Sequence, residues 1–216
     1  MVAVTVRAGS KAEMALPDGT FVHLNEATNL EYEVNNSKQR LVKLSGEAFF
    51  DVAKNPDCPF KVIINDLQIE VVGTSFNVKT YKKDIVETSL LSGRIRISGG
   101  SLPHEYTLSP GQKATYSAMD RTLRISKADA HVEAGWRDNY LIFESTPLID
   151  VIAQIERWYG VEIRLHHKQI AQDLLSGSFR NESIQNVIRS LSIQYGFKYE
   201  IHKDIITIYS VSYTHL

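Results

Sequence analysis

Apolar and polar residues alternate through the first 127 positions, in short runs separated by turn-forming clusters. Val42 and Leu44 share one face, as do Ala48, Phe50 and Val52, and then Phe60, Val62 and Ile64. The breaks fall at Pro17-Asp18-Gly19, Asn35-Asn36, Ser45-Gly46, Asn55-Pro56, Asn65-Asp66, Ser92-Gly93, Gly99-Gly100 and Pro110-Gly111. A period of two, bounded by turns roughly every ten positions, predicts strands. Residues 1–127 are therefore expected to form a mainly β domain, a sandwich or a solenoid-like stack. Runs that are apolar on both sides, Phe60 to Ile64 and Ile69 to Val72, are expected at the centre of a sheet. Leu16-Pro17-Asp18-Gly19-Thr20 supplies a proline that presets φ, an aspartate that bonds nearby backbone and a glycine for positive φ. Leu108-Ser109-Pro110-Gly111-Gln112 predicts a second turn of the same kind.

The pattern changes after about residue 130. Leu148, Ile152, Ile155 and Tyr159 recur at helical spacing between Pro147 and Tyr159, with Val151 and Trp158 widening the stripe. Ser145 or Thr146 is the expected cap, Pro147 suits the first turn and Gly160 ends the helix. A second helix is predicted from about Glu182 to Tyr195, with Ile184, Val187, Ile188 and Leu191 as its stripe. Asn181 is its expected cap and Gly196 its stop. The two helices belong to an internal repeat with an offset of 36, matching Phe143 to Phe179, Val151 to Val187, Ile152 to Ile188 and Tyr159-Gly160 to Tyr195-Gly196. Each copy reads strand, helix, strand. Two copies are too few for a solenoid, so the expectation is a small α/β domain of two βαβ units over 140–210, with both helices on one small sheet. Ile205 to Tyr209 adds a final hairpin strand. Residues 128–139 are expected as a linker and 211–216 as a tail.

Composition narrows the functional classes. The 216-residue chain is 43% hydrophobic and 23% charged, ordinary for a folded soluble protein. Its formal net charge is −1 with both signs interspersed, which argues against nucleic-acid binding. No apolar run approaches the roughly 18–20 residues that span a bilayer. The first seven residues are too short and polar for a signal peptide and read as a strand under way, so the chain is expected to begin in mid-protein. Cys58, the single cysteine, completes neither a disulfide nor a thiolate metal site and is expected to pack beside Pro59 and Phe60.

No constellation points to turnover. None of the seven histidines forms an H-E-x-x-H pattern or sits with cysteines at zinc spacing. His166-His167 is the only pair, and neighbouring strand residues point to opposite faces. No phosphate-binding glycine loop or G-x-S-x-G elbow occurs. Glu47 and Asp51 could share a strand face and suggest a glycosidase, but charged residues on a solvated face are the expected account. No catalytic, cofactor or metal residue is assigned, and the partner-binding residues stay unassigned. Phe49 and Phe50 point opposite ways, so one of them is a candidate exposed anchor. Trp158 reads as packing, and Trp136 as the opening of the second domain, sealing a joint.

Several segments together resemble the FecR family of periplasmic sensor and anti-sigma proteins. They are Arg7-Ala8-Gly9-Ser10-Lys11, Leu16-Pro17-Asp18-Gly19-Thr20 with Leu24-Asn25, and Leu44-Ser45-Gly46-Glu47-Ala48-Phe49-Phe50-Asp51-Val52. They continue with Pro59-Phe60, Val72-Gly73-Thr74-Ser75-Phe76-Asn77-Val78, Ser89-Leu90-Leu91-Ser92-Gly93 and Leu108-Ser109-Pro110-Gly111-Gln112. The remainder is similar to the STN module of secretins and TonB-dependent transporters. The resemblance implies a periplasmic sensor that reads the signalling domain of an outer-membrane transporter. It also implies a membrane helix and a sigma-factor-binding cytoplasmic segment upstream, both absent from this chain, and no catalytic residues or cofactor. The rival expectation is a β domain that binds a glycan or small ligand on an exposed aromatic such as Phe49 or Tyr32.

Overall fold

The computed structural model describes residues 2–33, 40–166 and 171–210. They divide into two compact units, the first running to Arg7 and over Lys11–Arg137, the second taking Ala8–Ser10 and the chain from Asp138 onward.

The first unit is a sandwich of two seven-stranded sheets. One sheet has the order β1 (Val2–Val6), β4 (Thr28–Tyr32), β5 (Arg40–Ser45), β7 (Phe60–Ile64), β8 (Leu67–Val71), β11 (Ile95–Gly99), β12 (Tyr106–Leu108). The other runs β14 (Thr122–Lys127), β13 (Gln112–Ser117), β10 (Ile85–Ser92), β9 (Ser75–Lys79), β6 (Glu47–Asp51), β3 (Phe21–Leu24), β2 (Ala12–Ala15). The chain changes sheet after every one or two strands. All neighbours are antiparallel except β5 and β7. The faces foreseen from alternation are the faces buried: Val42 pairs with Val62, Val62 with Ile69, and Phe50 with Phe76. Phe50 stacks on Phe76 at 5.2 Å and meets Phe60 of the opposite sheet at 5.8 Å, so the two sheets share one core. As expected, β7 and β8 occupy the middle of their sheet.

The turns follow their residues. Gly19 N–H donates to Leu16 O at 3.0 Å, and Asp18 accepts from the Thr20 backbone N–H at 3.0 Å. At the second turn Gln112 N–H donates to Ser109 O at 3.1 Å, but this turn carries the chain from β12 to β13 in the other sheet and closes no hairpin. Ser45-Gly46 makes a sheet change that only glycine fits. Gly46 has φ +115, and a Cβ there would lie 2.4 Å from Thr28 Oγ1.

Segment 128–139, expected as a linker, is ordered: it carries the short helix α1 (Ala130–Ala134) and a 3-10 turn over Gly135–Asp138. Through Arg137 it belongs to the first unit.

The second unit runs β15 (Tyr140–Pro147), α2 (Leu148–Tyr159), β16 (Glu162–Leu165), β17 (Leu174–Arg180), α3 (Ile184–Tyr195), β18 (Phe197–His202), β19 (Ile205–Ser210). Strand, helix and strand thus occur twice, at the repeat offset seen in the sequence. The expected single sheet is replaced by two. β15 pairs antiparallel with β17, while β19 lies between β16 and β18, parallel to the first and antiparallel to the second. Ile206 and Ile208 are both 1% exposed, in keeping with the central position of β19 between the strands that leave the helices. Val151, Ile152 and Ile155 of α2 pack with Val187, Ile188 and Leu191 of α3 in one core.

Both helix stops are as predicted, with Gly160 and Gly196 left-handed at φ 67 and 64. The starts differ. β15 continues to Pro147, so Ser145 and Thr146 lie in strand and α2 begins with no side-chain cap. Thr146 Oγ1 donates instead to Glu144 O at 3.3 Å. At α3 the cap is Ser183, whose hydroxyl accepts from Asn186 N–H at 3.2 Å, while Asn181 stands two residues earlier at φ 52.

Candidate functional site

The second unit presents backbone. With only two strands in its sheet, β15 and β17 each have one edge that meets no strand among the described residues. On β17 Leu175 is buried, whereas Leu174, Ser176, Gly177, Ser178 and Arg180 are exposed. Small exposed residues on an edge strand leave N–H and C=O groups open to another chain.

Apolar surface lies nearby: Leu174 is 60% exposed and Ile193 76%. Ile193 lines a groove of about 470 Å³ with Phe179, Glu182, Asn186, Arg189 and Ser190. A neighbouring hollow of about 300 Å³, partly walled by Leu141, Trp158 and Tyr159, shares Phe179 and Glu182. Tyr159, last in α2, donates to Glu182 O at 2.9 Å, and Tyr195, last in α3, donates to Leu174 O at 3.1 Å. Burial, with Glu182's charge behind it, pushes the Tyr159 phenol up to about 12, so it stays a neutral donor. Burial followed by Asp173 raises Tyr195 as well. Grooves this open, flanked by an edge strand, suit a polypeptide better than an engulfed small molecule.

The first unit holds a buried polar cluster on the outer face of its second sheet. Glu47 is 6% exposed and accepts from Asn25 Nδ2 at 2.8 Å and Asn77 Nδ2 at 2.9 Å. The Trp136 indole N–H donates to Asn77 Oδ1 at 3.2 Å, and Lys11 Nζ donates to Trp136 O at 2.7 Å. Lys11 also stands 3.6 Å from Glu26 Oε1, an ion pair beyond hydrogen-bonding reach. Burial pushes the Glu26 carboxyl up to about 7 against the opposing pull of Lys11, and burial lowers Lys11 in turn. Arg40 is a second hub. It donates to Cys58 O at 2.6 Å and Ala53 O at 2.7 Å and pairs with Asp18 at 3.1 Å, which fixes the loop after β6.

The residues singled out in the sequence are reassigned accordingly. Neither Phe49 nor Phe50 is an exposed anchor, at 3% and 0% exposure. Phe50 faces the core, and the Arg137 guanidinium covers Phe49 at 3.6 Å. Tyr32 packs half-buried against the core, so neither nominated aromatic forms an open platform. Glu47 is buried among amides while Asp51 is exposed and accepts from Ser75. Trp136 closes the first unit instead of opening the second. Trp158 packs against the second core as expected. Cys58 is part-buried. His166 stacks on Tyr209 with ring centroids 5.6 Å apart, and His167 lies outside the described residues. Among the described residues no three His, Cys, Asp or Glu side chains gather in a way that could hold a metal, and no helix is long and apolar enough to cross a membrane. Glu26, Lys11 and Arg40 were not foreseen, because single charges beside turns have the sequence signature of solvated surface.

A family model described as FecR protein matches residues 2–96, and one described as FecR, C-terminal matches residues 140–208. The chain is similar to a proposed anti-sigma factor from Parabacteroides distasonis ATCC 8503, solved by crystallography at 1.65 Å. The two are 29% identical, with 98% of this chain and 100% of that one covered and a TM-score of 0.87. A 2.50 Å crystal structure of a proposed anti-sigma factor from the same organism gives 30% identity, 98% and 99% coverage and a TM-score of 0.86. No curated protein sequence matches. With both units matched in order and a relative of this identity aligned from end to end, the chain belongs to the FecR family.

Proposed function

We propose that this chain is the periplasmic sensor region of an anti-sigma regulator. Its second unit, an STN-like module in this reading, docks the signalling domain of a TonB-dependent outer-membrane transporter. Binding that favours one arrangement of the two units shifts a pre-existing equilibrium. The shift passes through a membrane anchor to a segment that holds an extracytoplasmic-function sigma factor. The reading gives no residue a catalytic role. Family membership and end-to-end similarity to a proposed anti-sigma factor support it, and the observation that carries the docking step is the unpaired, small-residue edge of β17 beside exposed Leu174 and Ile193.

Calorimetric titration of the folded chain against the transporter's signalling domain tests this. Binding is expected, and a Leu174→Glu/Ile193→Glu double variant is expected to weaken it at least ~10-fold while keeping the wild-type melting profile. No heat at high micromolar concentrations of both folded partners rejects the docking reading. Full affinity in the double variant moves the contact away from this surface.

A further inference from the structure

We propose that Ala130–Arg137 is a releasable strap, which docks on the outer face of the second sheet and on undocking turns residues 130–137 into a free tether.

The strap is held apart from the main core. Ala134 and Trp136 are 2% and 6% exposed, and Phe49 beneath Arg137 is 3% exposed. None of the three belongs to the apolar cluster between the sheets. Besides the apolar contacts that bury Ala134 and Trp136, polar attachments lie along its length. Glu133 accepts from Lys113 at 2.7 Å, Trp136 O from Lys11 at 2.7 Å, and Asn77 Oδ1 from the Trp136 indole at 3.2 Å. Arg137 ends the seam over the Phe49 ring. Hydrogen bonds and ion pairs of this kind exchange for water at small net cost, unlike the apolar contacts between the sheets. A satellite patch so attached opens below the free energy of global unfolding.

Undocking has two consequences. It uncovers Phe49 and Asn77, an aromatic and an amide that stand opposite each other on one face of the sheet. It also frees the eight residues of the strap, 130–137, which fully extended reach about 28 Å. The sequence reading placed this stretch in the expected linker, while the structure shows it packed. A segment with both properties stores tether length, and the main part of the second unit begins directly after Arg137 in the chain. The proposal stands whether or not the docking partner above is correct.

Native-state hydrogen exchange by NMR on the whole chain tests the strap. Trp136 and Trp158 are the only two indoles, so a Trp158→Phe control assigns the signal. The Trp136 indole proton is expected to exchange at least ~10-fold faster than the slowest amides of β7 and β8, with a near-zero dependence on low urea. Lys11→Met keeps the aliphatic stem and removes the bond to Trp136 O. It is expected to speed indole exchange a further ~10-fold and leave β7 and β8 unchanged. Glu133→Gln, which weakens the Lys113 attachment, gives the same result more mildly and serves if Lys11→Met does not fold. The proposal is overturned if the indole and the core amides share one rate and one urea slope, or if both variants speed all sites together.

Discussion

Glu26 combines a side chain 4% exposed with one ion-pair partner among the described residues, Lys11, 3.6 Å away. Its carboxyl is pushed up to about 7, first by burial, with Lys11 opposing. The folded state therefore holds this proton more tightly than the unfolded chain, where the ordinary value of 4.5 applies. The stability that follows is fully present below about pH 4.5 and is lost as pH rises through about 7. Denaturant melts of wild type and Glu26→Gln across pH 5 to 8 isolate this residue, because glutamine does not titrate. Wild type is expected to lose on the order of 2 kcal/mol more than the variant across that window. The difference in slope is the readout, since removing the charge also alters Lys11 at every pH. Parallel curves would mean that Glu26 stays ionised and hydrated. Arg40 makes the complementary point: buried with several acceptors and a carboxylate, it is a charge that the fold satisfies fully.

At the scale of elements, the two helices share a stripe and a stop but differ at their starts. Ser183 caps α3 through Asn186 N–H, whereas α2 starts directly from strand. Ser183→Ala is expected to cost about 1 kcal/mol and Thr146→Ala markedly less, as measured by melts of the second unit's transition. Equal losses would return capping to Thr146. These differences show what the sequence disclosed. Alternation exposed the sandwich because strands such as β7 bury one face, as Phe60, Val62 and Ile64 do. Val151/Val187 and Ile152/Ile188 exposed the repeat because both copies fill one core. Caps and sheet partners were illegible for a different reason. Whether Thr146 lies in strand depends on its pairing with Leu175, a contact 29 residues away that local pattern does not encode. The open edge of β17 was not legible, because which strands share its sheet is settled only by tertiary pairing. The buried cluster was missed because Glu47, Asn77 and Lys11 meet only through tertiary contacts.

For the whole molecule, the decisive fact is that the apolar residues form two cores with no member in common. A core is the unit of cooperativity, since its contacts are gained and lost together. The chain is therefore expected to melt in two calorimetric transitions. Ile69, 0% exposed in the first core, and Ile188, 0% exposed in the second, give one probe for each. Ile69→Ala and Ile188→Ala are each expected to cost about 2–5 kcal/mol. Each should lower one transition and leave the other in place, with the larger temperature shift for Ile188→Ala because the second unit is smaller. One transition that falls in both variants would show that the two cores unfold together. That outcome would remove the mechanical basis for a relay, because a change of arrangement between units needs each unit to keep its own fold while the connection yields. Two independent transitions would instead leave the segment before Tyr140 as the place where yielding is cheapest, held as it is by Lys11, Asn77 and Lys113 and outside either core.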